Sequence, residues 1–121
     1  MLALRGMHEE LRPYAEYAHA IADYFNVPAR VASVARSWNE QQKLYERYVL
    51  AVRQNRFPSS EVPYPANAPG DSAHQYGLAW DSQVAPEYTQ WWKDVRRWIG
   101  FTVYDHDAPH GELPGWRAVV R

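Results

Sequence analysis

Pro69-Gly70-Asp71-Ser72-Ala73-His74-Gln75-Tyr76-Gly77-Leu78-Ala79-Trp80-Asp81 is the stretch on which the reading of this chain turns. It sets a histidine and an aspartate seven positions apart, with a glycine between them. On one continuous helix seven residues make two turns, and the side chains would stand about 10 Å apart, too far for one ion. Gly77 offers another course, because glycine lets the backbone bend where other residues are strained. A bend there lets His74 and Asp81 converge, with the residues after it, 78–84, running on as a strand.

Working outward, residues 8–25 predict an amphipathic helix with Leu11, Tyr14, Ala18, Ile21, Ala22 and Phe25 on its apolar face, ended by Asn26 and Pro28. Residues 30–35 predict a short strand. A second helix starts after Ser37 and ends near Asn55; Ser37 and Glu40 have the spacing of a capping box, in which each side chain satisfies a free backbone N–H. That helix should carry Gln41, Leu44, Tyr45, Tyr48 and Val52. Residues 57–71 hold Pro58, Pro63, Pro65 and Pro69 and predict a long loop of the kind that is often functional. A third helix follows Pro86 and ends near Gly100. Residues 101–104 predict a strand running into Asp105-His106-Asp107-Ala108-Pro109-His110. Helices do not alternate regularly with strands, so the pattern implies an α+β fold with a small antiparallel sheet and about three helices.

At 121 residues the chain fits a single domain, 1–121. The net charge of −1 gives no global field for nucleic acid. The local cluster Lys93, Arg96 and Arg97 reads as a solvated helix face. With no cysteine, any metal must be held by His, Asp and Glu. No apolar run approaches the ~20 residues of a membrane span. The run Met1 to Gly6 is too short and too soon interrupted for a signal peptide. Six Trp and nine Tyr suit either a compact core or the lining of a peptide or sugar groove.

Five histidines are available. His8 and His19 lie on the first predicted helix with no carboxylate pattern beside them and read as structural or solvated. His110 is a candidate third partner for His74 and Asp81. Two His and one Asp make a plausible zinc set whose fourth position is left to water, and zinc brings the pKa of that water towards ~7. Asp107, three residues before His110, is placed to serve as general base, with Glu112 as an alternative. A helical zinc pair of His106 and His110 is disfavoured by Pro109 between them. Taken singly, Asp81 could cap a turn, His110 could be a loop histidine and Asp107 could accept backbone N–H groups.

The run from Ser72 to Asp81 fills every fixed position of S-x-H-x-x-G-x-A-x-D and resembles the signature of the VanY-like zinc peptidases. That family comprises D-alanyl-D-alanine carboxypeptidases, dipeptidases and the L-alanyl-D-glutamate endopeptidases of phage endolysins. Pro69-Gly70 extends the match. Arg36-Ser37, Glu40-Gln41 and Leu44-Tyr45 resemble the family's R-S-x-x-E-Q-x-x-L-Y segment, and Asp107-Ala108-Pro109-His110 its closing D/E-x-x-H. The resemblance spans residues 28–112.

The resemblance implies a hedgehog/DD-peptidase-like fold with the zinc site at the sheet. His74, Asp81 and His110 match the Zn2+ ligands and Asp107 the catalytic acid/base. Arg36 matches the arginine that polarises the scissile carbonyl, and Ser72 a position near the substrate. A surface salt bridge for Arg36 and a turn hydroxyl for Ser72 remain the alternatives. The implied activity is hydrolysis of a peptide bond in peptidoglycan stem peptides, by a phage or prophage lytic enzyme. Such an enzyme waits in the host cytoplasm for holin-mediated release, or rides in the virion with other phage proteins as partners. A non-catalytic virion or wall-binding module on the same fold is the alternative. The chain departs from the family pattern at Gly111, where an aromatic residue is common. Phe101-Thr102-Val103-Tyr104 replaces a glycine-and-tryptophan segment, and nine residues after Glu112 leave no room for a wall-binding domain. These departures bear on substrate choice and targeting more than on metal binding.

Overall fold

The structure, a computed structural model, describes residues 4–120. Met1, Leu2 and Ala3 of the amino-terminal run lie outside the described residues. The elements are α1 (Arg12–Tyr24), β1 (Arg30–Ser33), α2 (Trp38–Arg53), a 3₁₀ turn (Ala73–Tyr76), β2 (Ala79–Gln83), a second 3₁₀ turn (Pro86–Tyr88), α3 (Thr89–Ile99), β3 (Thr102–Tyr104), β4 (Asp107–Glu112) and α4 (Trp116–Val119). The four strands form an antiparallel sheet in the order β1-β2-β4-β3. This is the α+β architecture with a small antiparallel sheet that the sequence implies.

Alternation along β2 divides the sheet into two faces. Trp80 and Ser82 are buried against the helices, while Asp81 points to the other side. On the helix side α1 packs beside α3. There Leu11, Ala15, Ala18 and Ala22 meet Trp80, Trp92, Phe101 and Val103 in one apolar cluster. On the opposite side, α2 and the proline-rich loop wall a cleft into which Asp81 and His110 open.

Several local signals act as the sequence predicts. Ser37 and Glu40 form the capping box of α2, each side chain bonded to the other's backbone N–H. Asn26 (φ 58°) and Asn55 (φ 57°) take the left-handed conformation that ends α1 and α2. Residues 57–71 form no regular element.

Other expectations are corrected. α1 begins at Arg12 instead of residue 8; His8 to Leu11 form a turn ahead of it, in which the His8 carbonyl accepts from the Leu11 and Arg12 N–H groups. Its buried stripe runs 11, 15, 18, 19, 22, so Tyr14 and Phe25 fall outside it and are exposed. Asp107–Glu112 is a strand of its own, antiparallel to β3, and not a continuation of the strand at 101–104. The cluster Lys93, Arg96 and Arg97 is only partly a solvated face: Arg97 is exposed and Lys93 half-buried, but Arg96 is buried. Lys93 and Arg97 both pair with Asp105, Arg97 donates to the Val103 carbonyl, and Arg96 is 1% exposed. All three cations bind the β3–β4 hairpin to α3. No described helix is long and apolar enough to cross a membrane.

The two central indoles are fully buried and each N–H has a partner, as buried tryptophans require. Trp92 Nε1 donates to Ser82 Oγ at 2.8 Å, and Trp80 Nε1 donates to His19 Nε2 at 3.1 Å. His19 is therefore structural, and it must stay neutral at Nε2 to accept. Burial lowers its pKa from 6.5, with partial opposition from a hydrogen bond to the Ala29 backbone and from the Asp23 charge. Above pH 6.5 both folded and unfolded chains hold it neutral; below that, the unfolded chain takes up a proton that the folded one resists. Stability is thus lost as pH falls. In metal-free protein, His19→Leu should lower the unfolding free energy at pH 7.5 by about 1–3 kcal/mol through the orphaned indole N–H. It should also flatten the decline between pH 6.5 and 5 expected for the parent, both being followed by urea titration. An equally steep decline in the variant would remove His19 as the cause.

Candidate metal centre

Ser72 opens the turn that carries His74. Its hydroxyl accepts from the His74 N–H at 3.3 Å, and Gly77 (φ 70°) closes the turn. No other residue fits at 77: an added Cβ would lie 2.3 Å from the Gly6 carbonyl oxygen, which passes directly beneath. The chain bends at this glycine, as the spacing requires, and re-enters as β2 with Asp81 at its third position. In the β2–β4 ladder Asp81 stands directly opposite His110. Local bend and cross-strand register together make three residues, distant in sequence, into neighbours.

The three donor atoms converge closely. His74 Nε2 lies 3.1 Å from Asp81 Oδ1 and 3.1 Å from His110 Nδ1, and His110 Nδ1 lies 3.4 Å from Asp81 Oδ1. Ligands at zinc distances in a tetrahedron are about 3.3–3.5 Å apart, so the group has the dimensions to hold zinc with one position open. Among the described residues these three make up a group of metal-capable side chains.

Each donor is oriented by a partner of its own. The other ring nitrogen of His74, Nδ1, lies 2.7 Å from the Val34 carbonyl; donating there frees Nε2 as a lone pair. His110 Nε2 lies 2.7 Å from Glu112 Oε1, which frees Nδ1 in the same way. Asp81 Oδ2 accepts from Arg36 Nη2 at 2.8 Å, which leaves Oδ1 to the centre. Carbonyl, carboxylate and guanidinium thus fix ring tautomer and carboxylate rotation, the usual office of groups behind metal ligands. The Arg36 guanidinium is itself held: Nη1 donates to Gln41 Oε1 at 3.3 Å, and buried Gln41 donates to the Asn67 carbonyl of the proline-rich loop at 2.6 Å.

The electrostatics follow from this crowding. Burial opposes ionisation of Asp81, but hydrogen bonds from His110 and His74 and the nearby charges of His74 and Arg36 hold its carboxyl far below the usual range. Burial also opposes charge on His110, yet its bonds to Asp81 and Glu112 push it up to about 9. A cation is therefore favoured at this point, whether proton or metal. Asp107 lines the same cleft. Burial raises its pKa and the Asp81 charge adds to this, while His110 works the other way.

The cleft has a volume of about 430 Å³ and takes in Arg36, Ser72, Asp107 and all three donors. The structure therefore brings every candidate residue to one place. Arg36 is a part-buried member of the centre and not a surface salt bridge. The Ser72 hydroxyl is engaged in its turn. Glu112, read as an alternative base, is occupied as the partner of His110. His106 lines the cleft but contributes no atom to the converging group. Sequence reasoning missed the role of Gln41, although it sits within the matched R-S-x-x-E-Q segment. It also missed Tyr64 and Tyr104, which line the cleft. Burial raises the pKa of both phenols; negative charges add to it, from Asp107 and Asp81 for Tyr64 and from Glu112 for Tyr104, so both stay neutral O–H donors. Tyr104 also stacks near His110, with planes 21° apart.

Comparison with solved structures places this arrangement. The vancomycin-resistance D,D-pentapeptidase VanY of a VanB-type cassette, in complex with Zn(II), aligns with TM-score 0.69 and 22% identity over 94% of this chain and 76% of that one. The chain has the VanY-type peptidase fold. The LD-carboxypeptidase LdcB aligns with TM-score 0.62 and 23% identity over 95% and 69% of the two chains. The L-Ala D-Glu endopeptidase ChiX of Serratia marcescens gives 0.56 and 22% over 98% and 87%. No family model and no curated protein sequence matches the chain. With this fold the sheet face, and not the helix layer, is the seat of the centre, as the resemblance implied.

The outer partners yield a direct test. Glu112→Ala should weaken zinc binding about 10–100-fold, measured by competition with a chromophoric chelator, because His110 loses the group that fixes its tautomer. Unchanged affinity would mean that the ring is held without Glu112.

Proposed function

We propose that the chain carries a single zinc peptidase domain that hydrolyses an amide bond in peptidoglycan stem peptides. The observation that carries this reading is the convergence of His74, Asp81 and His110, each with its own orienting partner, in a cleft that also holds Asp107 and Arg36. VanY, LdcB and ChiX, which share the fold, are by name a D,D-pentapeptidase, an LD-carboxypeptidase and an L-Ala D-Glu endopeptidase; VanYB is seen in complex with D-alanine-D-alanine, and LdcB is described as recognising peptidoglycan. The cleft volume lies within the range of small-ligand sites and suits a few residues of peptide.

His74 Nε2, Asp81 Oδ1 and His110 Nδ1 would hold the ion. Bound zinc acidifies water and polarises a carbonyl. Asp107 takes the proton of the attacking water and passes it to the departing amine; a carboxyl pushed above its ordinary value is suited to both transfers. Arg36 offers a permanently charged donor to the developing oxyanion while it keeps Asp81 in place. Ser72, Tyr64 and Tyr104 line the cleft that would receive the substrate.

The bond cut is that of an L-alanyl-D-glutamate endopeptidase or a D,D-carboxypeptidase, and the setting we favour is a phage or prophage lytic enzyme. That enzyme is either released from the host cytoplasm or carried on the virion with other phage proteins. The peptide strand of the wall is its partner, with no role for nucleic acid or membrane.

Purified protein should contain one zinc per chain and release stem-peptide fragments from cell wall, identified by mass spectrometry. Chelator should abolish cleavage and added zinc restore it. Asp107→Ala should keep its zinc yet lose about 10²–10⁴ in kcat. Zinc retained by the parent protein with no cleavage of any stem peptide would sink the enzyme in favour of a non-catalytic wall-binding module.

A further inference from the structure

Arg96 presents a problem of energetics. It is 1% exposed in the core between α3 and the sheet, and among the described residues no carboxylate lies within ion-pair distance of it. Burying an unpaired guanidinium is expensive, and an apolar side chain of similar length would stabilise the core more cheaply. Stability alone does not account for it.

Its hydrogen bonds do. Nε donates to the Trp92 carbonyl in the previous turn of α3 at 3.1 Å, and the Trp92 ring centroid lies 5.2 Å from the guanidinium carbon. Nη1 donates to the Pro109 carbonyl at 3.0 Å and Nη2 to the Ala108 carbonyl at 2.6 Å. Ala108 and Pro109 are the two residues between Asp107 and His110. They have no partner in the β2–β4 or the β3–β4 ladder. The strand is irregular here: Thr102 stands opposite Glu112 but Tyr104 opposite Asp107, so two steps on β3 face five on β4. In a regular strand, residues three apart point to opposite faces, and Asp107 would be turned away from the cleft that His110 lines. The bulged course brings both into it. The fork of the guanidinium takes up the carbonyls that the bulge frees. Gly111 completes the fit, since a Cβ there would lie 3.0 Å from the Trp80 ring and 3.5 Å from Arg96 Nη1.

We propose that Arg96 is a positioning residue of the metal centre: clamped on the Ala108 and Pro109 carbonyls, it holds the bulge that sets Asp107 and His110 on the same face. This rests on the proposed zinc peptidase reading. It acts through the backbone and touches neither substrate nor metal. A lysine cannot replace it, because one ammonium lacks the planar fork that spans two successive carbonyls and a third in α3.

The test compares parent, Arg96→Lys, Arg96→Met and a core control, Phe101→Leu, all stripped of metal and reconstituted. The readouts are zinc affinity by chelator competition, the visible spectrum of the cobalt-substituted protein, kcat and KM on a stem peptide at saturating zinc, and the thermal midpoint. Both Arg96 variants should bind zinc at least about 10-fold more weakly and show an altered cobalt spectrum. They should lose at least about 10-fold in kcat with KM within about two-fold, as expected when the reacting groups shift and not the binding walls. Phe101→Leu should lose thermal stability while keeping affinity, spectrum and kcat. Arg96 variants that behave like Phe101→Leu, or a folded Arg96→Lys with parental affinity and spectrum, would overturn the proposal and leave the peptidase reading intact. A parent that binds neither zinc nor cobalt would overturn both. A parent that binds metal but cuts no peptide would overturn the peptidase alone, since affinity and spectrum still report on Arg96.

Discussion

Asp81 on β2 faces His110 on β4 across an antiparallel ladder, and the rest of the centre depends on that register. A slip of one residue would turn one of the two towards the helices. The register is pinned from behind by Trp80 and Ser82, which alternate with Asp81 and are anchored through His19 and Trp92. The apolar side of the sheet therefore decides the geometry of the polar side. Burial of two indoles with partnered N–H groups makes the slip costly, and the metal-capable group on the far face inherits the precision.

That group is also a concentration of charge requirements. Asp81 is held ionised by His110, His74 and Arg36, while Asp107 is pushed the other way by burial. Two carboxyls in one cleft thus have opposite tendencies, one fixed as an anion to hold a cation and one able to exchange a proton. The division comes from surroundings, since the two side chains are chemically identical. Arg36 links the anion to Gln41 and through it to the loop at Asn67, so the wall of the cleft and the centre are tied by one chain of hydrogen bonds.

On the other side of the sheet, the three cations of α3 tie down the β3–β4 hairpin. Lys93 and Arg97 hold its tip at Asp105, where exposure makes the contribution small. Arg96 holds its bulge from inside the core. The hairpin carries Tyr104, Asp107, His110 and Glu112, so most of one cleft wall is fixed by a helix that has no residue in the cleft.

Much of this was legible in the chain itself. The bend at Gly77, the capping box of α2, the stops at Asn26 and Asn55 and the proline-rich loop are local effects, written in residues close together in sequence. The signature from Ser72 to Asp81 also named two of the donors, and the closing segment from Asp107 to His110 named the third. What local pattern did not reveal was β4, because Pro109 and an irregular register hide its alternation, and with it the pairing of His110 with Glu112. Nor did it reveal that Arg96 alone of the cationic cluster was buried, since Lys93, Arg96 and Arg97 read the same whether they meet water or the carbonyls of a bulge. The sequence determined which residues were competent for the chemistry. Only the tertiary structure decided which of their atoms converge, because donor orientation is set by partners such as Val34, Glu112, Arg36 and Arg96, which reach the site from other elements of the fold.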